Sequence, residues 1–336
     1  MTIYYVPIEP YETRYTADWI SQYVTEFNNN RVEYEVITGD TVTSKILCGS
    51  VLDACGTNLY KISQLKKLIN LINDGVINDG DCIFFADAWF PGVESLFYIR
   101  NLTKIDYKLF GILHAGTYDI HDFTYREGMR TWGKYLECCW LSGFDKIFVA
   151  TEFHKQLIIS NTDLCNLEDK IVITGLPFYA QELRSKYSCD DKQDIVVFPH
   201  RTDAEKQPEL FDRLADAIHN LDSNIKCVKT LDVTKSRDEY FKLLAKSKVM
   251  VSFALQETFG YSTLESMALG NRVYVPNMLS YVETVPSEHR YDYIDIDKLA
   301  NDIVNFVHNY VNPNYDLYKW SKSINNMIYY MVNDVR

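Results

Sequence analysis

With 336 residues and 47% hydrophobic content, the chain has enough apolar material for two α/β domains, each with its own core. A formal net charge of -12 argues against a surface given over entirely to nucleic acid or an anionic membrane, since both would be repelled at long range. No basic leader followed by a long apolar run opens the sequence, and no later stretch approaches a membrane span. A soluble, cytoplasmic protein without a transmembrane segment is expected.

In chain order, IYYVPI is a short β-rich run ended by proline, and TADWISQYVTEFNN carries apolar residues at helical spacing. The alternation continues with VEYEVIT, helical SQLKKLINLIND, CIFFAD, helical VESLFYIRNL, KLFGILH, helical WGKYLECCWLSG, KIFVAT and KIVITG. Such βα units predict a parallel sheet covered by helices on both faces, here over residues 1–178. The polar stretch YAQELRSKYSCDDKQD loses the apolar rhythm and predicts a linker over 179–193. A second βα series over 194–314 runs through IVVFPH, PELFDRLADAIHN, IKCVKT, RDEYFKLLAKS, KVMVSFA, STLESMALG, RVYVP and DKLANDIVNFVHNYV. Residues 315–336 add an amphipathic C-terminal helical segment. The expected fold class is α/β, with two Rossmann-like doubly wound domains facing a central cleft and binding at the carboxyl ends of their strands. Eight cysteines form no Cys-x-x-Cys pair, and several lie in apolar runs such as LECCWL, which predicts buried reduced thiols rather than zinc ligands or disulfides.

Chemistry concentrates in KVMVSFALQETFGYSTLESMALG. Glu257 would end a strand, Gly260 would allow a tight turn, and Tyr261, Ser262 and Thr263 would present free N–H groups at a helix start suited to diphosphate oxygens. Glu265, one turn further on, can accept hydrogen bonds from a ribose diol. Upstream, IVVFPHRTDAEKQPELF ends a strand in Pro199-His200-Arg201 and supplies Lys206 before a helix. Two cations there suit a departing diphosphate, whose charge grows in the transition state.

The Glu257-x7-Glu265 spacing, with Phe259-Gly260 inside it and Met267-Ala268-Leu269-Gly270 after it, resembles the signature of the large retaining GT-B glycosyltransferase family. The resemblance implies sugar contact by Glu257, ribose contact by Glu265, and phosphate stabilisation by Arg201 and Lys206. Where that family has glycine before the arginine, this chain has His200, which would either donate to phosphate or cap the strand. His114, ending KLFGILH, is similar to the family's N-domain histidine beside the transferred sugar; a satisfied core histidine is the alternative.

Acceptor candidates are fewer. Arg14 lies in a first βα loop that lacks the family's glycines, and Trp89 follows a strand within Asp87-Ala88-Trp89-Phe90 as a stacking platform or as core. Arg126, Arg130 and Lys134, at i, i+4 and i+8, would align on one helix face, as a solvated basic face or as a stripe for a phosphate-bearing acceptor. Asp119, with His114, His121 and Asp122, offers metal-ligand residue types at no justifiable spacing, and Asp79-Gly80-Asp81 predicts a turn. No obligatory metal or cofactor is expected. The reaction implied is transfer of a sugar, with a UDP-sugar among the candidate donors, to a hydroxyl of a glycan, a lipid or DNA/RNA, with retention of configuration. The alternatives are a nucleotide-sugar epimerase or phosphorylase on the same fold, and a non-catalytic sugar-nucleotide binder.

Overall fold

The computed structural model describes residues 1–11, 14–40 and 53–333. Cys48, Glu12 and Thr13 of the first loop, and the last residues of the expected C-terminal helix lie outside the described residues. The chain divides into two units, Met1–Pro177 with Lys322–Arg336, and Phe178–Ser321.

The first unit is built on six parallel strands, β1 (Thr2–Val6), β2 (Glu33–Val36), β3 (Cys82–Phe85), β4 (Lys108–Ile112), β5 (Lys146–Val149) and β6 (Ile171–Ile173). Their order is β2-β1-β3-β4-β5-β6, so the winding direction reverses between β1 and β3. Every residue of CIFF is buried, as expected of a strand covered on both faces. Strand VEYEV alternates instead because it lies at the sheet edge. The helix expected from Ser63 starts at Ala54, since the Asp53 carboxylate accepts from the amides of Cys55 and Gly56, both at 3.1 Å.

One expected helix is two. Phe123–Arg126 ends at Gly128, whose φ of +75° breaks the turn, and Arg130–Gly143 starts afresh. Arg126, Arg130 and Lys134 therefore do not line one helix. Helix Glu152–Asn161 joins β5 to β6 and is capped by Thr151, whose hydroxyl accepts from His154 N at 3.2 Å. Among the seven described cysteines, all free, Cys82 is buried while Cys55, Cys139 and Cys165 are exposed. The expectation of buried thiols fails at LECCWL because that helix turns Glu137, Trp140 and Leu141 inward and Cys139 outward.

The second unit has five parallel strands, β7 (Gln193–Phe198), β8 (Lys226–Lys229), β9 (Ser247–Val251), β10 (Arg272–Pro276) and β11 (Arg290–Tyr291), in the order β11-β10-β9-β7-β8. Its winding reverses between β7 and β9. Val196, Phe198, Val249 and Val251 share a core with Leu214 and Ile218 of helix Pro208–Leu221 and Ile303 and Val307 of helix Ile296–His308. Residues 179–193, expected as a linker, carry helix Ala180–Tyr187, whose Arg184 donates to the carbonyls of Ala268 and Tyr315, both at 3.0 Å. The C-terminal segment is likewise divided. Trp320 packs edge-on against Phe259 of the second unit, at 5.0 Å between centroids. Helix Ser323–Asn333 instead belongs to the first unit, where it packs on helix Trp19–Asn29.

Candidate active site

The second unit gathers its chemistry at the carboxyl ends of β7 and β9, the pair between which the strand order reverses. In doubly wound sheets such a switch point opens a crevice, because the two loops leave in opposite directions. Three bonds stitch these loops together. Leu255 N donates to Glu205 O at 2.7 Å, Gln207 Nε2 to Phe253 O at 2.6 Å, and Lys206 Nζ to Gln256 O. Lys206, buried at the end of the short 3-10 turn Ala204–Lys206, also faces Glu257 Oε2 at 3.5 Å. An ammonium and a carboxylate fifty-one positions apart are thereby brought into one largely desolvated pair.

Gly260 makes this approach possible. Its φ of +88° is the left-handed region that glycine enters without strain, and a Cβ there would stand 3.3 Å from the ring of Tyr281. Its amide donates to Glu257 Oε1 at 3.0 Å, so Glu257 is held from both sides. Helix Tyr261–Ala268 begins immediately after. Thr263 and Leu264 both return their amides to Gly260 O, at 3.0 and 2.9 Å, so Thr263 offers no free amide to an anion, contrary to expectation. Tyr261 stacks edge-on against Phe259 at 5.0 Å.

Arg201 is partly exposed and is flanked by acids: its Nε lies 3.3 Å from Asp203 and its Nη2 3.4 Å from Glu205. His200 is buried, its Nδ1 3.5 Å from Ser262 Oγ and its Nε2 without a hydrogen-bond partner. Burial, and then the charges of Lys206 and Arg201, hold its pKa well below the ordinary histidine range, so the ring is neutral. Glu265 is buried one helical turn inside the same helix. Its Oε2 accepts from Tyr240 Oη at 2.9 Å and its Oε1 lies 3.8 Å from Arg237. Burial pushes this carboxyl up, while Arg237 and the Tyr240 hydroxyl pull it back. Sequence reasoning missed both partners. Ser236, an N-cap residue just before an apolar-periodic run, was the available signal for where that helix starts and hence which face it turns inward.

The first unit's candidates stand separately. His114 follows β4, with Nε2 2.8 Å from Ala86 O and Nδ1 3.3 Å from Tyr15 Oη. Because a carbonyl can only accept, Nε2 carries the proton and Nδ1 accepts from the tyrosine. Burial is the leading cause that lowers its pKa. Trp89 donates its Nε1 to Glu137 Oε1 at 3.1 Å and stacks edge-on with Trp132 and Trp140, while Phe90 is fully packed in the core. Asp119 is buried and accepts from His121 N at 2.9 Å, a local turn rather than a ligand cluster. Arg14 lies 5.2 Å over the Tyr11 ring, Arg126 is exposed, and Arg130 donates to Asn161 O at 2.9 Å. Asp81 N donates to Asn78 O at 3.1 Å, closing the predicted turn, and Asp79 and Asp81 accept from the distant Asp106 N and Thr2 N, at 2.7 and 2.8 Å. Among the described residues no group of three His, Cys, Asp or Glu is placed to hold a metal ion, and no helix is long and apolar enough to cross a membrane.

No protein-family model matches the chain. Its fold is similar to that of sucrose-phosphate synthase from Thermosynechococcus elongatus, with a TM-score of 0.62 at 13% identity over 99% of this chain and 94% of that one. It is similar also to the pneumococcal O-GlcNAc transferase GtfA in complex with UDP and GlcNAc, with a TM-score of 0.60 at 9% identity over 100% and 99%. An α,α-trehalose-phosphate synthase (UDP-forming) from Burkholderia vietnamiensis matches with a TM-score of 0.56 at 10% identity over 99% and 95%. Two parallel-sheet α/β units in this arrangement of strands define the GT-B fold, and this chain has it.

Proposed function

We propose that this chain is a glycosyltransferase that moves a sugar from a nucleoside diphosphate, foremost UDP, to an acceptor hydroxyl with retention of configuration. The observation that carries the reading is the convergence of Lys206 and the Gly260-turned helix on Glu257 at the β7/β9 switch point. Glu257 would contact the transferred sugar and Glu265 the ribose. Lys206, Arg201 and the first turn at Gly260, Tyr261, Ser262 and Thr263 would take up charge on the departing diphosphate, Thr263 through its place in that turn, since its amide is bonded to Gly260 O and its side chain is buried. Fixed cations and dipoles aimed at that charge stabilise the transition state more than the ground state. His200, neutral and with a free buried Nε2, would add one hydrogen bond to phosphate.

For His114 the reading keeps a place beside the transferred sugar, and for Arg14, Trp89, Asp119, Arg126 and Arg130 a place toward the acceptor. The acceptor is a glycan in this reading, because the structural neighbours named above act on or bind sugars. Lipids and nucleic acid are arms of the same experiment. A panel of nucleotide sugars is incubated with pooled glycans, lipids and modified nucleic acids, with nucleotide release and product anomer measured by NMR. An inverted anomer rules out retention. Epimerised donor in the absence of acceptor, or binding with no turnover on any acceptor, favours the other readings of the same fold. Glu265→Ala turning over every donor as well as the unmodified protein would falsify the site.

A further inference from the structure

Glu265 is held from a neighbouring helix, and the manner of holding bears on which nucleotides the site accepts; the inference rests on the proposed donor role of that carboxylate. Helix Arg237–Lys246 begins at a side-chain cap: Ser236 Oγ accepts from Glu239 N at 3.2 Å, and Glu239 Oε2 accepts from Lys235 N at 2.7 Å. The cap fixes the helical phase. Arg237 and Tyr240, three positions apart, then share one face, and helix Arg237–Lys246 packs against helix Tyr261–Ala268. From that face Tyr240 Oη reaches Oε2 at 2.9 Å and Arg237 Nη2 lies 3.8 Å from Oε1. Stacking of the Arg237 guanidinium over Phe241, 5.0 Å from its centroid, limits the swing of the arginine.

We propose that Arg237 and Tyr240 are positioning residues that orient Glu265 as a two-pronged acceptor for the ribose hydroxyls, and so set a preference for ribonucleotide over deoxyribonucleotide donors. A carboxylate offers about four lone-pair sites. With one partner already on each oxygen, each retains a further site, and a vicinal diol supplies two hydroxyls to match. A buried carboxylate built to receive a hydroxyl is left under-satisfied by an analogue that lacks it, so the deoxy ligand is penalised. Rotation of the carboxylate would blunt that penalty. Tyr240 and Arg237 restrain the rotation.

The test is calorimetric. Binding of UDP, GDP and ADP, each beside its 2′-deoxy counterpart, is measured for the full chain and for Tyr240→Phe, Arg237→Ala and Arg237→Lys. The expected result is that the best-bound diphosphate exceeds its deoxy form by roughly tenfold or more. Tyr240→Phe should shrink that ratio at least about threefold by weakening the ribonucleotide alone, and Arg237→Lys should restore part of what Arg237→Ala loses. A ratio unchanged in Tyr240→Phe, or an equal loss for both sugars, overturns the inference while leaving the donor site standing. If the unmodified chain binds none of the diphosphates, the donor reading itself fails and takes the inference with it.

Discussion

Several histidines of this chain are held neutral by burial, and sensitivity to acid follows from that. His154 is fully buried, bonded through Nε2 to Tyr118 Oη at 2.7 Å, with Nδ1 unpartnered. Burial and the charge of His114 drop its pKa from 6.5 to about 3. Below pH 6.5 the unfolded chain binds a proton that the folded chain refuses until about pH 3. The contribution is therefore intact above 6.5 and is lost as the pH falls, at up to about 1.4 kcal/mol per pH unit. His289, lowered from 6.5 to about 4 chiefly by burial, works in the same direction over a narrower window. Urea midpoints at pH 7 and pH 4.5 should show a loss that His154→Gln reduces by about one proton's worth; an unchanged slope refutes the assignment. At Gly260 the expectation is steric. Gly260→Ala should cost about 1–2 kcal/mol for the left-handed backbone and more for the approach to Tyr281, read as a lower urea midpoint together with weaker nucleotide binding.

Elements act here by placing residues that are distant in sequence. The turn after β7 and the turn after β9 carry Lys206 and Glu257, whose side chains are 8% and 18% exposed. Removing one partner of so enclosed a pair leaves the other charge uncompensated, so Lys206→Met and Glu257→Gln should each destabilise by roughly 2–4 kcal/mol. The double substitution should cost less than the sum, and a thermodynamic cycle from denaturant melts measures the coupling. Additivity within error would show that the pair does not interact. The start of helix Arg237–Lys246 gives a second case. Ser236→Ala removes a cap and should lower stability by about 1 kcal/mol, seen in amide exchange confined first to that helix.

For the molecule as a whole, the chain's return to its first unit matters most. Helix Ser323–Asn333 buries Ile324, Met327, Ile328 and Met331, and Asn325 exchanges bonds with Asn30 and Glu26, at 2.6 and 3.0 Å. Tyr23 Oη meets Met327 Sδ at 3.1 Å. Burying four such side chains is worth at most roughly 6–12 kcal/mol, comparable to the entire stability of a typical domain. A chain ending at Ser321 should therefore lose amide protection across β1–β6 while retaining much of it across β7–β11. Uniform protection in the shortened chain would contradict the division into these two units.

The alternation of βα units, the parallel sheets and the Glu257-Gly260-Glu265 turn were legible in the sequence, because burial on both faces demands unbroken apolar strands and a left-handed turn demands glycine. The partners of those residues were not. Lys206 meets Glu257, and Tyr240 with Arg237 meets Glu265, only because β7 and β9 are neighbours and helix Arg237–Lys246 packs against helix Tyr261–Ala268. Apolar periodicity states which side of an element is buried and is silent about which other element covers it. For the same reason the C-terminal helix showed an amphipathic stripe without an address, and a basic i, i+4, i+8 run promised one helix where Gly128 makes two. The sequence by itself determined the kind of layers and the residues able to do chemistry; strand order and packing, which depend on contacts across tens to hundreds of positions, decided which of them meet.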